Sequence, residues 1–171
     1  MSMARRLLIT TFLIVALDQI SKGLILKYVG PGEVIEVIPR IFNLTLTFNK
    51  GAAFGFLANT SDTVRLMGLF VATVTALSVV GYFLMREYRQ DACGQIALAM
   101  VLGGAFGNII DRLRFGAVVD FLDIYYSSYH WPAFNIADSA ICIGVAVLIL
   151  KRPAKKDQIT PAGELGEFNG S

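Results

Sequence analysis

Long runs of hydrophobic residues alternate with shorter polar segments along this chain. Residues 66–85 and 93–110 contain no Asp, Glu, Lys or Arg, and 7–26 and 132–150 are of similar length but contain ionisable residues. A helix rises 1.5 Å per residue, so about 20 apolar residues cross a bilayer core of about 30 Å. The pattern predicts an all-α membrane protein, a bundle of four transmembrane helices at about 7–26, 66–85, 93–112 and 132–150.

The composition agrees with a membrane protein. Hydrophobic residues make up 55% of the 171 residues and charged residues 16%, whereas soluble domains carry about 25% charged residues. The net charge of +2 is too small to indicate a nucleic-acid partner. We expect a single membrane domain over residues 1–152 and a disordered cytoplasmic tail over 153–171.

Basic residues are densest at one end of the predicted bundle. Arg5–Arg6 precede the first span, Arg86–Arg89 follow the second, and Lys151–Lys156 follow the fourth. Short segments rich in Lys and Arg stay in the cytoplasm. The termini are therefore predicted to be cytoplasmic, and the two long loops are predicted to lie outside.

The two outer loops have different patterns. Residues Phe42–Phe48 alternate apolar and polar side chains, which is typical of a strand, and Glu33–Ile38 forms a second β-prone run. With a turn at Pro39–Arg40, the pattern predicts a small β-hairpin. The second loop, Tyr125–Trp131, is rich in aromatic residues, which gather at membrane interfaces. We expect the hairpin and this aromatic loop to lie on opposite sides of any functional site at the outer surface.

Five aspartates lie within or beside the predicted spans: Asp18, Asp111, Asp120, Asp123 and Asp138. An aspartate at the centre of a membrane helix costs about 2.5–3.5 kcal/mol on insertion scales, so such residues usually have a function or a cationic partner. Asp138 lies 12 residues before Leu150, hence about 18 Å from the cytoplasmic end. The other four also fall toward the outer side, so the carboxylates gather at one level.

Several of these aspartates have a simple structural interpretation. Asp18 and Lys22 are spaced i and i+4, which favours an ion pair. Asp111 adjoins Arg112 and is expected to orient or neutralise it, and Asp123 is expected to be solvated in the loop.

Asp120 and Asp138 are harder to explain structurally, because apolar and small residues surround both. Two carboxylates brought together in a low dielectric would share a proton, and one ionised and one protonated acid can activate water against a carbonyl. The single histidine excludes a His-x-x-x-His metal pair, and the chain has no Gly-x-Ser-x-Gly motif. Among hydrolases, the residues therefore favour an aspartate dyad.

Two other functional classes also account for carboxylates inside spans. A small transporter or channel would use them to bind protons or cations, although it should also place polar groups in the cytoplasmic half, where this sequence has few. A lipid-binding assembly factor is a further alternative. The residues alone leave these possibilities open beside a hydrolase.

The motifs resemble those of bacterial lipoprotein signal peptidase (signal peptidase II), an intramembrane aspartyl protease family, over about residues 5–152. The matching segments, in the order and spacing of the family, are Asp18–Lys22, Asn49–Gly55, Gly103–Arg112, Val118–Phe121 and Phe134–Ser139.

The resemblance implies that Asp120 and Asp138 are the catalytic pair of an enzyme that needs no metal or organic cofactor. The residues implied to support the site or contact substrate are Asn49, Gly51, Gly104, Asn108, Asp111, Arg112, Asn135 and Ala137. It also implies lipid-modified prolipoproteins as substrates, cleaved before the diacylglyceryl-modified cysteine. The enzyme would be a monomer among the lipids of the bacterial cytoplasmic (inner) membrane.

Overall fold

A computed structural model describes residues 1–51, 64, 68, 71, 75, 78–83 and 86–151. Those residues of the predicted second span, 66–85, that are described are helical, but most of that span lies outside the described residues. The predicted tail over 153–171 lies wholly outside them.

Three complete helices and four strands make up the described part of the chain. The helices are α1 (Met3–Tyr28), α2 (Ala92–Phe115) and α3 (Ile136–Leu150). The strands are β1 (Val34–Ile38), β2 (Phe42–Asn49), β3 (Val118–Tyr126) and β4 (Tyr129–His130). A side chain accepts a backbone N–H at the N-terminus of each helix: Ser2 in α1, Asp91 in α2 and Asn135 in α3.

The helices have the surface pattern of membrane segments. By length and composition α1 and α2 can each cross a bilayer, and α3 is apolar but has only 15 residues. On α1, Phe12 and Ile20 are 70% and 62% exposed, whereas Asp18 and Lys22 are almost completely buried. A helix that exposes large apolar side chains and buries its charges is suited to lipid on its outer side.

Small residues on α2 allow this helix to pack closely between α1 and α3. A side chain at Gly103 would overlap Ile14 of α1, and one at Gly144 of α3 would overlap the Ala97 carbonyl oxygen. Close backbone approach of this kind is how membrane helices associate, because lipid gives no hydrophobic driving force between them.

The strands form one antiparallel sheet in the order β1-β2-β3-β4. The β1–β2 pair confirms the predicted hairpin, and its turn includes Arg40 in the left-handed region, with φ of 66°. The sheet packs over the end of α1 through an apolar cluster of buried residues: Ile25, Val29, Leu46, Val119 and Phe121.

The aromatic loop lies beside the hairpin. We had expected the two to lie on opposite sides of the functional site. Tyr125 and Tyr126 belong to β3, which pairs with β2 and then turns into β4. The Tyr125 hydroxyl donates to Glu36 of β1 at 2.7 Å. The prediction was wrong because β3 continues the hairpin's sheet, a long-range pairing that alternation within one segment does not reveal.

Candidate active site

Asp120 lies on β3 with both carboxylate oxygens occupied by amide donors. It is 2% exposed and stands opposite Thr47 of β2. Its Oδ1 accepts from Asn135 Nδ2 at 2.7 Å, and its Oδ2 accepts from Asn49 Nδ2 at 3.0 Å. The carboxyl group is therefore held from two sides by amide nitrogens that can only donate to it.

Asp138 lies in the first turn of α3 and is connected to Asp120 through one side chain. Asn135 caps this helix by accepting from the Asp138 backbone N–H at 2.9 Å, while its amide nitrogen donates to Asp120. Both aspartates thus lie within reach of the same asparagine. The Oδ1 atom of Asp138 accepts from Asn108 Nδ2 at 2.8 Å.

The orientation of the Asn108 amide follows from its other partners. Its oxygen accepts from Lys22 Nζ at 3.2 Å and from Asn135 Nδ2 at 3.3 Å. An ammonium group can only donate, so the oxygen of Asn108 must face Lys22 and its nitrogen must face Asp138. The resemblance implied that Asn108 supports the site or contacts substrate, and its side-chain nitrogen donates to Asp138.

A tight turn after β2 aims Asn49 at Asp120. The Asn49 side-chain oxygen accepts from Gly51 N–H at 2.9 Å, which leaves the amide nitrogen free to donate to Asp120. Gly51 has a φ of 95°, a left-handed conformation that side-chain-bearing residues rarely adopt. Gly51 therefore contributes through its backbone conformation.

Gly104 brings α2 and α3 together beneath the site. A Cβ atom at Gly104 would overlap the Ala137 carbonyl oxygen and the Ile141 side chain. Ala137 is fully buried directly before Asp138. The small residue at 104 therefore lets α3 approach α2 closely enough for Asn108 to reach Asp138.

Behind these residues lies a buried ionic cluster that contains Asp18, Lys22 and Asp111. Lys22 Nζ is 2.8 Å from Asp18 Oδ2 and 2.7 Å from Asp111 Oδ2. The predicted pair of Asp18 and Lys22 is confirmed, but Lys22 also binds Asp111. Asp111 was expected to orient or neutralise its neighbour Arg112; its carboxylate also contacts Lys22, Gln19 and the Val119 backbone amide.

Arg112 lies near the carboxyl groups of Asp111, Asp120 and Asp138. The Arg112 side chain has hydrogen-bonding capacity that these residues do not use. Its Nη1 donates to the Asn108 carbonyl oxygen at 3.2 Å. Its Nε is buried and has no hydrogen-bond partner among the residues that the structure describes. A buried donor without a partner is costly, so this atom is suited to bind an acceptor brought by a substrate.

The surroundings of Asp120 alter its acidity. Burial, together with the nearby Asp138 carboxylate, raises the pKa of the Asp120 carboxyl from the usual 3.8 to about 6. Hydrogen bonds from Asn49 and Asn135 partly offset this rise in pKa. A carboxyl with a pKa near 6 can give or take a proton near neutral pH, as acid–base catalysis requires.

Asp123 is not the solvated loop residue that its position suggested. It is 8% exposed on β3, where it accepts from Asn43 Nδ2 at 3.0 Å and contacts His130 Nδ1 at 2.9 Å. It is buried because β3 extends through 118–126 between β2 and β4, so its carboxylate is covered by neighbouring strands.

The structure brings together every residue that the sequence placed at the site, and adds four that the sequence did not: Asp18, Gln19, Lys22 and Gly107. Lys22 and Gln19 bind Asp111 from one turn of α1, and Gly107 leaves room for Asp18. The i, i+4 spacing of Asp18 and Lys22 predicted their pairing, but nothing local to α1 indicated a contact with residue 111, which is 89 positions after Lys22.

Comparisons with known proteins identify the family of this chain. The profile of the family described as Signal peptidase (SPase) II matches residues 10–152. A lipoprotein signal peptidase from Syntrophotalea carbinolica is 50% identical over 147 residues, which cover 85% of this chain and 89% of the relative. One from Syntrophus aciditrophicus is 45% identical over 153 residues, which cover 88% and 94%.

A solved structure has the same fold. It is described as a bacterial membrane enzyme determined by the in meso method at 1.9 Å resolution, and it aligns with a TM-score of 0.74 and 35% identity. The alignment covers 84% of this chain and 90% of the solved one. From its sequence and its fold, this chain belongs to the signal peptidase II family.

Proposed function

We propose that this protein is an intramembrane aspartyl endopeptidase that removes the signal peptide of prolipoproteins, cutting before a diacylglyceryl-modified cysteine. The observation that carries the proposal is the connection of Asp120 and Asp138 through Asn135. Family membership and the names of the relatives support the substrate class. The carboxyl groups of Asp120, which is buried, and Asp138, which is partly buried, supply the chemistry.

The two aspartates divide the work between an ionised and a protonated carboxyl. The ionised carboxylate removes a proton from water, and the resulting hydroxide adds to the scissile carbonyl carbon while the protonated carboxyl donates to the carbonyl oxygen. Collapse of the tetrahedral intermediate breaks the C–N bond, and the amine leaves with a proton from the dyad. Two acids and water complete this reaction, so no metal or organic cofactor enters it.

The remaining site residues hold this pair or the substrate. Asp120 is oriented by Asn135 and by Asn49, which is itself held by the Gly51 backbone. Asp138 is oriented by Asn108. Arg112 is the residue that we assign to the substrate, because its buried Nε has no hydrogen-bond partner among the described residues and can donate to a peptide carbonyl oxygen after a small side-chain movement. Gly104, Asp111 and Ala137 act through the backbone and helix packing beneath the pair.

The proposed membrane arrangement is a four-span bundle in the bacterial inner membrane, with cytoplasmic termini and the site near the outer surface. The lipid of the modified cysteine is anchored in the outer leaflet, so the scissile bond would be held at the depth of the aspartates. We propose that a single copy surrounded by membrane lipids performs the reaction, since all the carboxyl and amide groups that it uses come from one chain.

A synthetic prolipoprotein peptide with a diacylglyceryl cysteine tests this function. The purified protein in detergent micelles should release the signal peptide, and mass spectrometry should locate the cut directly before the modified cysteine. The same peptide with an unmodified cysteine is the control and should be cleaved poorly. Equal cleavage of both peptides, or a cut elsewhere, would contradict the proposed specificity.

A further inference from the structure

Two support carboxylates bind the backbone immediately before the two aspartates of the dyad. Asp18 Oδ1 accepts from Ala137 N–H at 3.0 Å, and Asp111 Oδ2 accepts from Val119 N–H at 3.1 Å. Ala137 precedes Asp138, and Val119 precedes Asp120. Each half of the dyad is therefore attached through its own backbone to a different carboxylate.

These two carboxylates are joined to each other twice. Lys22 Nζ lies 2.8 Å from Asp18 Oδ2 and 2.7 Å from Asp111 Oδ2. Gln19 Nε2 forms a second bridge, donating to Asp18 Oδ2 at 3.2 Å and to Asp111 Oδ1 at 2.9 Å. Asp18, Lys22 and Asp111 are each at most 2% exposed, so water does not compete for these bonds.

We propose that Asp18, Gln19, Lys22 and Asp111 form a dyad clamp, a set of positioning residues that fixes the separation of Asp120 and Asp138. The inference rests on the proposed function of the pair. The clamp matters because the dyad residues lie on different elements, β3 and α3, so the separation of the two carboxyl groups depends on the contacts that hold these elements together. Lys22 adds a second constraint on Asp138, since it also sets the orientation of Asn108.

This arrangement predicts a kinetic signature that a simple packing role lacks. The substrate is bound largely through its lipid and flanking peptide, whereas the chemical step needs both carboxyl groups at the right separation. Misplacing a catalytic group by about 1 Å costs about 100-fold in rate. Loosening the clamp should therefore lower kcat and leave KM nearly unchanged in a protein that remains folded.

Gly107→Ala loosens the clamp while keeping every charge. A Cβ atom at Gly107 would lie 2.5 Å from Asp18 Oδ2, so the end of the Asp18 side chain must move off its partners. The matched control is Gly23→Ala on α1, where an added Cβ meets nothing within 4 Å. With the lipidated prolipoprotein peptide, Gly107→Ala should lose about 100-fold in kcat with KM changed less than about threefold, and Gly23→Ala should match wild type.

A variant that removes all three charges of the cluster tests the cation in the clamp. Asp18→Asn, Lys22→Met and Asp111→Asn together remove the ionic bridge but leave amide oxygens for Ala137 and Val119. The protein should remain folded in detergent, because no buried charge loses its partner within this cluster, and kcat should fall as for Gly107→Ala. If this variant does not fold, Gly107→Ala decides the question alone.

The outcomes separate the clamp from the function on which it rests. If wild type and Gly23→Ala cleave the peptide while Gly107→Ala loses kcat at constant KM and is folded at the assay temperature, the clamp is supported. Wild-type kcat in Gly107→Ala overturns the clamp and leaves the peptidase standing. A wild-type protein that does not cleave the lipidated peptide at all removes the basis of both.

Discussion

Replacing Asp120 by Asn should abolish peptidase activity and yet stabilise the protein above neutral pH. The pKa of Asp120 is raised from 3.8 to about 6, chiefly because burial disfavours the charged carboxylate. A raised pKa in the folded state means that this group contributes stability fully below pH 3.8, and that the contribution is lost as the pH rises through 6. Ionised Asp120 therefore works against folding at a pH of about 8.

The size of the effect follows from the pKa and the local hydrogen bonds. A pKa difference of about 2, at about 1.36 kcal/mol for each pH unit, corresponds to about 3 kcal/mol of lost stability at a pH of about 8. In Asp120→Asn, the introduced amide has one acceptor oxygen for two donors, Asn49 and Asn135, which removes one hydrogen bond worth about 1 kcal/mol. Asp120→Asn should thus raise the free energy of unfolding by about 2 kcal/mol at that pH.

Unfolding of the purified protein in detergent, followed by intrinsic fluorescence between about pH 4 and pH 8, measures this difference. The variant should gain stability relative to wild type as the pH rises from about 4 to 7, and the gain should disappear near pH 4. Asp123→Asn, three residues later in β3, is the matched control and should give no such gain. If Asp120→Asn is less stable than wild type at pH 8, the conclusion that burial disfavours the ionised Asp120 carboxylate is wrong.

Three further predictions follow from the same contacts. Lys22→Met alone leaves Asp18 and Asp111 buried without a cation and should cost about 3–5 kcal/mol of unfolding free energy. Lys27 is exposed on the same helix, so Lys27→Met should cost less than about 1 kcal/mol. Equal losses of stability in the two variants would contradict the buried cluster. The pH profile of kcat/KM should contain an ionisation near pH 6 from Asp120. A flat profile from about pH 5 to 7 would exclude it. In a cysteine-free background, a cysteine introduced at Ser127 should react with an impermeant thiol reagent in intact cells, and one introduced at Gln90 should not. Reaction at position 90 and not at position 127 would invert the proposed topology.

Local patterns in the sequence predicted the helices and the hairpin, which depend on neighbouring residues. Alternation in Phe42–Phe48 and a turn at Arg40 predicted the hairpin, and long apolar runs predicted α1 and α2. The sequence also drew attention to Asp120 and Asp138, because carboxylates among apolar residues are too costly to be incidental. These predictions required only the spacing of neighbouring residues.

The errors and omissions concern contacts between distant segments. The pairing of β3 with β2 determines that Asp123 is buried and that Tyr125 reaches β1, and the alternation of either strand alone does not specify its partner. Likewise, Lys22 was matched with Asp18 one turn away, while its second partner, Asp111, comes from α2. Close packing at glycines brought these elements together, and that packing depends on the whole bundle.

The central claim is that Asp120 and Asp138 perform the cleavage, and single-turnover cleavage of the lipidated prolipoprotein peptide tests it most directly. Asp120→Asn and Asp138→Asn should each reduce the rate by about 10²–10⁴-fold or more, with unfolding in detergent confirming that both variants are folded. Asp123→Asn, buried in the same strand but paired with Asn43 and His130, should keep most of the activity. Near wild-type cleavage by either dyad variant would contradict the account.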